Sequence, residues 1–308
     1  MLKELLDAKK CFKLVCGAGN EDANEVEKLV ALYSSAGCKF FDLSAKPEIV
    51  ASAKRGLDGR EGYLCVSVGI KGDPHIRKAQ IDQEKCANCH KCEEICPQNT
   101  ITYCKVKTKR CIGCGKCHEV CKHGAISFTS ENKDLKDVLP DLIKMGIDCI
   151  ELHAMGENDD WVEKWDYINS VYDGLLSICT ARGHLSEEKM IERINKMIAH
   201  RTPFTTIVQA DGFPMSGGQD DYKTTLQAVA TAEIVQNAKL PVYIMLSGGT
   251  NSKTAELAKM CNIDYNGIAI GTFARKIVKK YIEREDFLQN ERVFAEALKI
   301  AKWLVEKV

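Results

Sequence analysis

Two copies of one four-cysteine motif lie between residues 86 and 121, and they constrain the fold of this sequence more than any other feature. The first copy reads CANCHKCEEICP and the second reads CIGCGKCHEVCK, so both follow the spacing C-x2-C-x2-C-x3-C. Bacterial ferredoxins use this spacing to hold [4Fe–4S] clusters, and the fourth cysteine of each run binds the other cluster. A chain that obeys this rule must fold so that the fourth cysteine of each run lies beside the first three cysteines of the other run.

The crossed arrangement assigns four cysteines to each of two predicted iron–sulfur centres. The first set is Cys86, Cys89, Cys92 and Cys121, and the second set is Cys111, Cys114, Cys117 and Cys96. A pair of zinc sites is the alternative, because the C-x2-C spacing also suits tetrahedral zinc. Zinc motifs usually end after two pairs of ligands, whereas a repeated C-x3-C, followed by Pro97 in the first copy, is typical of cubane clusters. We therefore predict two [4Fe–4S] clusters.

The segment around these cysteines is basic. Between residues 85 and 123 lie eight basic side chains (Lys85, Lys91, Lys105, Lys107, Lys109, Arg110, Lys116 and Lys122) and three acidic ones (Glu93, Glu94 and Glu119). Because a cluster with four thiolates is anionic, nearby cations favour its reduced form and raise its reduction potential. The run from Lys105 to Arg110 is predicted to lie on the rim of a hairpin, where part of it is simply solvated. Cys104, between the motifs, is predicted to be a spare thiol.

The composition argues against nucleic-acid and membrane partners. Lys and Arg together number 43, as do Asp and Glu, so the 308-residue chain has no net charge to attract nucleic acid or an anionic membrane. No apolar run reaches the roughly 18 residues of a membrane span, and the first residues lack a signal-peptide pattern. We therefore expect a cytoplasmic protein. The cysteines outside the two motifs are predicted to be mostly small core residues of a reduced protein: Cys11, Cys16, Cys38, Cys65, Cys104, Cys149, Cys179 and Cys261.

Outside the cysteine-rich stretch, short apolar runs alternate with amphipathic helical segments, which is typical of a parallel sheet built from βα units. The predicted strands are residues 12–18, 39–45, 63–69, 149–154, 175–180, 205–210, 241–247 and 267–272. Eight βα units in about 250 residues favour a TIM-like (β/α)8 barrel, and a doubly wound open sheet is the alternative. The predicted domains are a barrel of residues 1–70 and 130–308 and an inserted ferredoxin-like domain of residues 71–129, which follows strand three at the barrel mouth.

The loops after the seventh and eighth predicted strands have the composition of a phosphate site. Gly248 and Gly249 allow a ligand to approach the backbone, Gly271 and Thr272 open the next helix, and Arg275 adds a cation. In barrels these two loops commonly bind phosphate through backbone N–H groups. We therefore predict that these five residues bind flavin mononucleotide or another small phosphate-bearing ligand.

Other polar residues stand at predicted strand ends and are candidates for ligand contact: Asp42, Ser44, Lys46, His153, Arg182, His184, Gln209 and Asp211. The glycine-rich loop of residues 211–220 is long enough to act as a lid. No Ser-His-Asp triad or carboxylate pair follows from the spacing, so no catalytic residue is assigned.

Several stretches together resemble the light-dependent period iron–sulfur proteins of cyanobacteria, the LdpA-like family. They are FKLVCGAGN near the start, GDPHIRKA at 72–79, the two cysteine motifs, QADGFPMSGG at 209–218, and LSGGTNSKT and GIAIGTFARK near the end. The resemblance implies a cytosolic protein with two [4Fe–4S] clusters, held by the eight motif cysteines, that senses cellular redox state and passes it to partner proteins. In cyanobacteria this signal feeds the circadian clock. No residue pattern in this sequence encodes clock partners.

Three functions fit these observations. The first is an electron-transfer or redox-sensing protein whose barrel is a docking scaffold for a redox partner protein. The second is an oxidoreductase with a flavin or another phosphate-bearing cofactor at the barrel mouth, supplied with electrons by the clusters. The third is a protein whose clusters are purely structural. The sequence favours the first, and a bound flavin would discriminate the second from it.

Overall fold

The computed structural model describes residues 1–17, 19–69, 77–130, 134–154, 159–181, 185–212 and 218–308. Within them the chain forms twelve strands: β1 (Cys11–Val15), β2 (Phe40–Ser44), β3 (Tyr63–Gly69), β4 (Arg77–Ile81), β5 (Ile101–Thr102), β6 (Lys105–Val106), β7 (Ile126–Ser130), β8 (Cys149–His153), β9 (Leu175–Ala181), β10 (Thr206–Asp211), β11 (Tyr243–Ser247) and β12 (Gly267–Ile270). The helices are α1 (Leu2–Asp7), α2 (Ala23–Ser35), α3 (Pro47–Leu57), α4 (Lys91–Ile95), α5 (Lys116–Val120), α6 (Leu135–Lys144), α7 (Trp161–Val171), α8 (Glu187–Ile198), α9 (Tyr222–Asn237), α10 (Thr254–Met260), α11 (Thr272–Ile282) and α12 (Glu291–Val305). None of the helices in these ranges is long and apolar enough to cross a membrane.

Eight strands form a closed parallel barrel in the order β1-β12-β11-β10-β9-β8-β3-β2. The barrel closes because β1 pairs in parallel with both β2 and β12, with Lys13 opposite Phe40 on one side and Ala269 on the other. An open doubly wound sheet has no such closing pair, so the prediction of a (β/α)8 barrel is confirmed. The predicted eighth strand ran two residues too far, because Gly271 is the N-cap residue of α11 and Thr272 is its first residue.

Side-chain caps fix the starts of several barrel helices. Asp22, Ser186, Asp221 and Asn290 each accept a hydrogen bond from the backbone amide three residues further on. These bonds satisfy N–H groups that have no partner within the helix. Between α2 and α3 the packing is close enough to require glycine, because a Cβ at Gly56 would lie 2.5 Å from the carbonyl oxygen of Glu27.

Helix α1 closes the N-terminal end of the barrel. Leu2 and Leu6 of α1 belong to the apolar cluster that fills this end, together with Phe40 and Tyr243. The phenol of Tyr243 donates a hydrogen bond to Asp7 at 2.7 Å and accepts one from Lys3 at 2.6 Å, which ties α1 to β11. The sequence reasoning did not predict α1, because six residues are too few to show helical periodicity.

The cysteine-rich insert lies between β3 and β8, as predicted. Its frame is the antiparallel pair β4 and β7, in which Arg77 faces Ser130 and Ile81 faces Ile126. The strands β5 and β6 form a short hairpin, and α4 and α5 each carry the third cysteine of one motif. A small core of Ala79, Cys92, Ile101, Cys111, Cys117 and Ile126 fills the insert.

The insert docks on the barrel through polar contacts. The guanidinium of Arg110 pairs with Glu25 of α2 and lies 3.6 Å from Glu283. The ammonium of Lys78 in β4 lies 3.4 Å from the carboxylate of Glu21. The backbone amide of Glu21 donates to the carbonyl oxygen of Lys109 at 2.6 Å. Part of the basic run that the sequence places on a hairpin rim therefore holds the insert against the loop after β1.

Candidate metal centres

The second predicted set of cysteines surrounds one cavity in the insert. Cys111, Cys114 and Cys117 of the second motif line this cavity together with Cys96 of the first, and apolar side chains close it: Ala79, Ile101, Val106, Ile112 and Phe128. The short helices explain the convergence, because α5 carries Cys117 while Cys96 directly follows α4 and lines the same cavity. The fold thus brings together the four residues that the crossed ferredoxin rule assigns to one centre.

The first predicted set surrounds a matching cavity. Its walls contain Cys86, Cys89 and Cys92 of the first motif and Cys121 of the second, with Ile81, Val120 and Ile126 among the apolar neighbours. Cys89 is exposed, whereas Cys92 is buried, so one edge of this cavity faces solvent. Among the described residues there is no disulfide, and every cysteine is a free thiol.

Backbone amides point at the sulfur atoms, as they do around iron–sulfur clusters. The amide of Ala79 donates to the Cys111 Sγ at 3.4 Å, and the amide of Thr100 donates to the Cys96 Sγ at 3.4 Å. Such bonds stabilise sulfur that carries negative charge and shift the reduction potential of a bound cluster. The donors therefore suit thiolate ligands better than protonated thiols.

The thiol groups are crowded in a largely apolar setting. Burial, followed by the neighbouring thiols of Cys114 and Cys111, raises the pKa of Cys117 to about 11. Four thiolates at such a point repel one another unless cations lie between them. Soft sulfur donors select iron–sulfur clusters, zinc and copper(I), so the donor set and its apolar walls fit a cluster.

Cys104 lies in the first cavity, beside the motif cysteines. The hairpin of β5 and β6 turns at Tyr103 and Cys104, both of which have positive φ, and this turn buries the Cys104 thiol to 1% exposure. Its backbone amide donates to Glu93 at 2.7 Å, and the same carboxylate lies 2.8 Å from His90. The sequence spacing gave no signal for this position, and a spare-thiol role for Cys104 stays a prediction.

The five residues predicted to bind phosphate follow two neighbouring strands, β11 and β12, and make different contacts. A Cβ at Gly248 would lie 2.6 Å from the carbonyl oxygen of Gly212, so this glycine allows two backbones to pack closely. Gly249 has a φ of +75° and continues the same turn. Thr272 and Arg275 instead line a cleft between the barrel and the insert. Gly271 packs against Val15 and the guanidinium of Arg275.

A polar array that the sequence reasoning predicted only in part fills the middle of the barrel. Lys13 of β1 is fully buried, and its Nζ lies 2.6 Å from Glu151 of β8 and 3.6 Å from Asp42 of β2. The hydroxyl of Ser67 donates to Asp42 at 2.6 Å, and the hydroxyl of Ser177 donates to Glu151 at 2.9 Å. Burial alone would lower the pKa of Lys13, but Asp42, the thiol of Cys65 and Glu151 together outweigh it and hold that pKa well above its usual value. Lys13 is therefore a buried cation.

The array extends toward the C-terminal end of the barrel. His153 lies 3.1 Å from Glu151, and the thiol of Cys179 donates to Asp211 at 2.7 Å. Burial raises the pKa of Asp211 to about 6. Gln209 lies 3.4 Å from the Nζ of Lys13. Four of the predicted strand-end candidates, Asp42, His153, Gln209 and Asp211, thus belong to one buried array.

The remaining strand-end candidates lie elsewhere. Ser44 donates to the carbonyl oxygen of Asn20 at 3.0 Å, and Lys46 forms an ion pair with Glu21 at 2.7 Å. Arg182, His184 and residues 213–217 of the predicted lid lie outside the described residues, as do residues 72–76 of the GDPHIRKA stretch.

The parallel barrel and the two cysteine-lined cavities define a class of protein, the (β/α)8 barrel with a cysteine-rich insert. Residues 75–132 match the family described as the LdpA Fe-S cluster-binding domain, and residues 141–307 match the Light dependent period A C-terminal domain. The chain is 32% identical over 298 residues to Light dependent period A of Synechococcus elongatus, an alignment that covers 91% of this chain and 84% of the relative. The chain belongs to the LdpA family, and it carries that family's iron–sulfur cluster-binding domain.

Solved structures of similar shape have low sequence identity to this chain. Tryptophan synthase from M. tuberculosis aligns with a TM-score of 0.49 at 10% identity and covers 100% of this chain and 96% of its own. A truncated 3-deoxy-D-arabino-heptulosonate 7-phosphate synthase from Thermotoga maritima aligns with a TM-score of 0.45 at 13% identity, over 96% of this chain and 88% of its own. The barrel assignment rests on the strand pairing.

Proposed function

We propose that this LdpA-family protein is a redox protein that transfers or senses electrons through two [4Fe–4S] clusters. The observation that carries the proposal is the crossed grouping of the cysteines. Each cavity is lined by the first three cysteines of one motif and the fourth cysteine of the other. A two-cluster ferredoxin domain requires this grouping, whereas two zinc sites formed within single motifs do not. The domain limits at residues 71 and 129 are part of the same proposal.

The surroundings of the cavities support a redox role. Arg77 stacks on Phe128, a wall of the second cavity, with its guanidinium carbon 4.5 Å from the ring centroid, and it donates to Gly113 at 2.7 Å. Lys78 donates to the carbonyl oxygen of Cys111 at 2.8 Å. These cations and the amides on sulfur lower the energy of the more negative, reduced cluster, and so they raise its potential. The free thiols throughout the described chain suit a reducing compartment such as the cytoplasm.

The first centre is the better placed of the two for exchange with a redox partner protein. Cys89 is exposed at its edge, and Tyr103, which precedes Cys104 of the same cavity, is 81% exposed. Exposed apolar side chains beside an accessible cluster form a surface on which a partner protein can dock.

Paired cysteine variants test the crossed ligation. In anaerobically purified protein we expect about eight iron and eight sulfide ions per chain. Replacing Cys96 and Cys114 together by serine should leave about half of the iron, because both belong to the second centre. Replacing Cys96 and Cys92 together should remove most of it, because this pair damages both centres. Cys261→Ser, an exposed cysteine outside the insert, is the matched control and should keep all of the iron.

The opposite ranking of the two double variants would show that each motif binds its own metal. Zinc without sulfide in the wild-type protein would overturn the proposal altogether. Circular dichroism of each variant separates loss of a cluster from loss of the barrel fold.

The buried array in the barrel favours a second candidate function, an oxidoreductase with a flavin or another phosphate-bearing cofactor at the barrel mouth. Lys13 and Glu151 lie in the middle of the barrel, and His153 and Asp211 extend the array toward the end where enzymes of this fold hold their active sites. Acid denaturation of the purified protein, followed by fluorescence of the supernatant, tests it. Released flavin would favour the oxidoreductase, and its absence favours the carrier or sensor.

A further inference from the structure

A cleft separates the insert from the barrel beside α2 and α11. It has a volume of about 350 Å³, which falls within the range of small-molecule sites. One wall is the insert segment of residues 94–99, and the other is formed by α2, α11 and residues 218 and 219. Leu29, Ile95 and Pro97 supply apolar surface. Of the eight motif cysteines, Cys96 alone lies in the wall of this cleft.

The cleft is strongly cationic. Five basic and two acidic side chains line it, so the cleft has an excess of three positive charges. The basic residues are Arg110, Lys116, Arg275, Lys276 and Lys279, and the acidic ones are Glu25 and Glu94. Basic residues at this density repel one another unless anions lie between them.

The protein itself neutralises only part of this charge. Arg110 is paired with Glu25, and Lys279 lies 3.4 Å from Glu283. Among the described residues, the ammonium of Lys276 donates to one acceptor, the carbonyl oxygen of Gly218, at 3.0 Å. Within the described parts of the chain, the side-chain ammonium of Lys116 makes no hydrogen bond or ion pair. Lys116 from the insert and Lys276 from the barrel thus lack carboxylate partners.

We infer that this cleft binds a small molecule bearing phosphate groups, held by Lys116, Lys276 and Lys279. Lysine ammonium groups bind phosphate as point charges, and the start of α11 at Thr272 presents backbone N–H groups to the same space. The apolar wall suits the organic part of such a ligand. The ligand would bridge the barrel and the insert, because its lysines come from both.

The position of Cys96 couples this site to the second centre. Cys96 lines both the cleft and the cavity that holds that centre. One electron taken up by the cluster adds one negative charge beside the bound anion, and the two charges repel. Reduction should therefore weaken anion binding, and by reciprocity the bound anion should lower the reduction potential. This step rests on the proposed cluster function, whereas anion binding itself does not.

Calorimetric titration with inorganic pyrophosphate tests the site in the oxidised, iron-loaded protein. We expect saturable binding that Lys276→Gln combined with Lys279→Gln weakens at least tenfold, because each removes a cation from the cleft. Lys280→Gln is the matched control, since Lys280 is an exposed lysine of α11 that does not line the cleft, and it should bind as the wild type does. A second variant, Lys116→Gln, tests the wall contributed by the insert. Absence of binding, or equal weakening by the control, would overturn the site.

The same titration after reduction by dithionite tests the coupling. We expect the affinity for pyrophosphate to fall roughly tenfold, because the added charge lies next to the cleft. Equal affinity in both oxidation states would overturn the coupling and leave the anion site standing. Iron and sulfide counts on the same samples identify a failure of the cluster proposal separately, because the oxidised-state binding result does not depend on electron uptake.

Discussion

Replacing Lys13 by methionine should destabilise the barrel strongly, because it removes the cation from a buried array of carboxylates. Lys13 is fully buried between Asp42 and Glu151, both almost inaccessible to water. Breaking a buried ion pair by removing one partner costs about 3–5 kcal/mol, since the remaining charge has no partner. For a barrel of this size, that corresponds to a fall of roughly 6–20 °C in the unfolding midpoint.

The pH dependence gives the prediction a sign. Without Lys13, burial should raise the pKa of Glu151 above its ordinary value, so that the folded state favours the protonated acid. A group whose pKa is raised by folding loses its stabilising contribution as pH rises through the folded pKa. The Lys13→Met variant should therefore lose more stability at pH 8 than at pH 5, relative to the wild type.

Thermal unfolding followed by circular dichroism under anaerobic conditions measures both effects. The double variant Lys13→Met with Glu151→Gln should recover a large part of the loss, because no unpaired carboxylate remains at that position. Lys9→Met is the matched control, since Lys9 pairs with Asp264 at 2.5 Å on the exposed surface, where such pairs contribute little. A small, pH-independent effect of Lys13→Met, or no recovery in the double variant, would refute the reasoning.

Three further predictions concern single side chains. Burial raises the pKa of Asp211 to about 6 from 3.8, so the charged carboxylate destabilises the fold as pH rises. Relative to the wild type, Asp211→Asn should therefore gain up to ~3 kcal/mol in the free energy of unfolding between about pH 4 and pH 7. Thermal unfolding over this pH range measures the gain. Arg110→Gln removes the ion pair with Glu25 and should speed proteolytic release of the insert several-fold, whereas Lys109→Gln at an exposed neighbour should not; equal rates would contradict the docking role. Cys104→Ser should retain about eight iron ions per chain, and loss of half of them would show that Cys104 is a ligand.

The strands of the barrel follow from the sequence because they are buried on both faces. Runs such as YLCVSVG at Tyr63–Gly69 are therefore continuously apolar or small, and their positions are clear without any structure. Element ends are less clear, because Gly271 and Thr272 continue an apolar run but begin a helix. The closing contact between β1 and β12 joins segments more than 250 residues apart, and only the count of eight units indicates it.

The buried array could be read only in part from the sequence. A single lysine within the strand CFKLV reads as an ordinary alternating polar position that faces solvent, although Lys13 faces the barrel interior. The signal that was available is the recurrence of polar residues at inward positions of several strands, such as Ser67, Glu151 and Ser177. Which of them meet depends on the register between strands, and local patterns do not encode that register.

The candidate metal centres, too, could be predicted from the sequence only in part. The spacing of the cysteines predicts two crossed sets because ligand geometry is local and repeated, and the fold brings those sets together. The docking of Arg110 on Glu25 and the cationic cleft depend on how the insert lies against the barrel. The turn after β11 packs closely, because Gly248 lies against the backbone of Gly212, and a phosphate site at these glycines stays a prediction.

The most direct test of the central claim is a coulometric titration of the anaerobically purified wild-type protein, with iron and acid-labile sulfide counted on the same sample. Two redox-active [4Fe–4S] clusters predict about eight iron ions, about eight sulfide ions and the reversible uptake of about two electrons per chain. Iron and sulfide without reversible electron uptake would make the clusters structural. Zinc in place of iron would contradict the central claim that the protein binds iron–sulfur clusters.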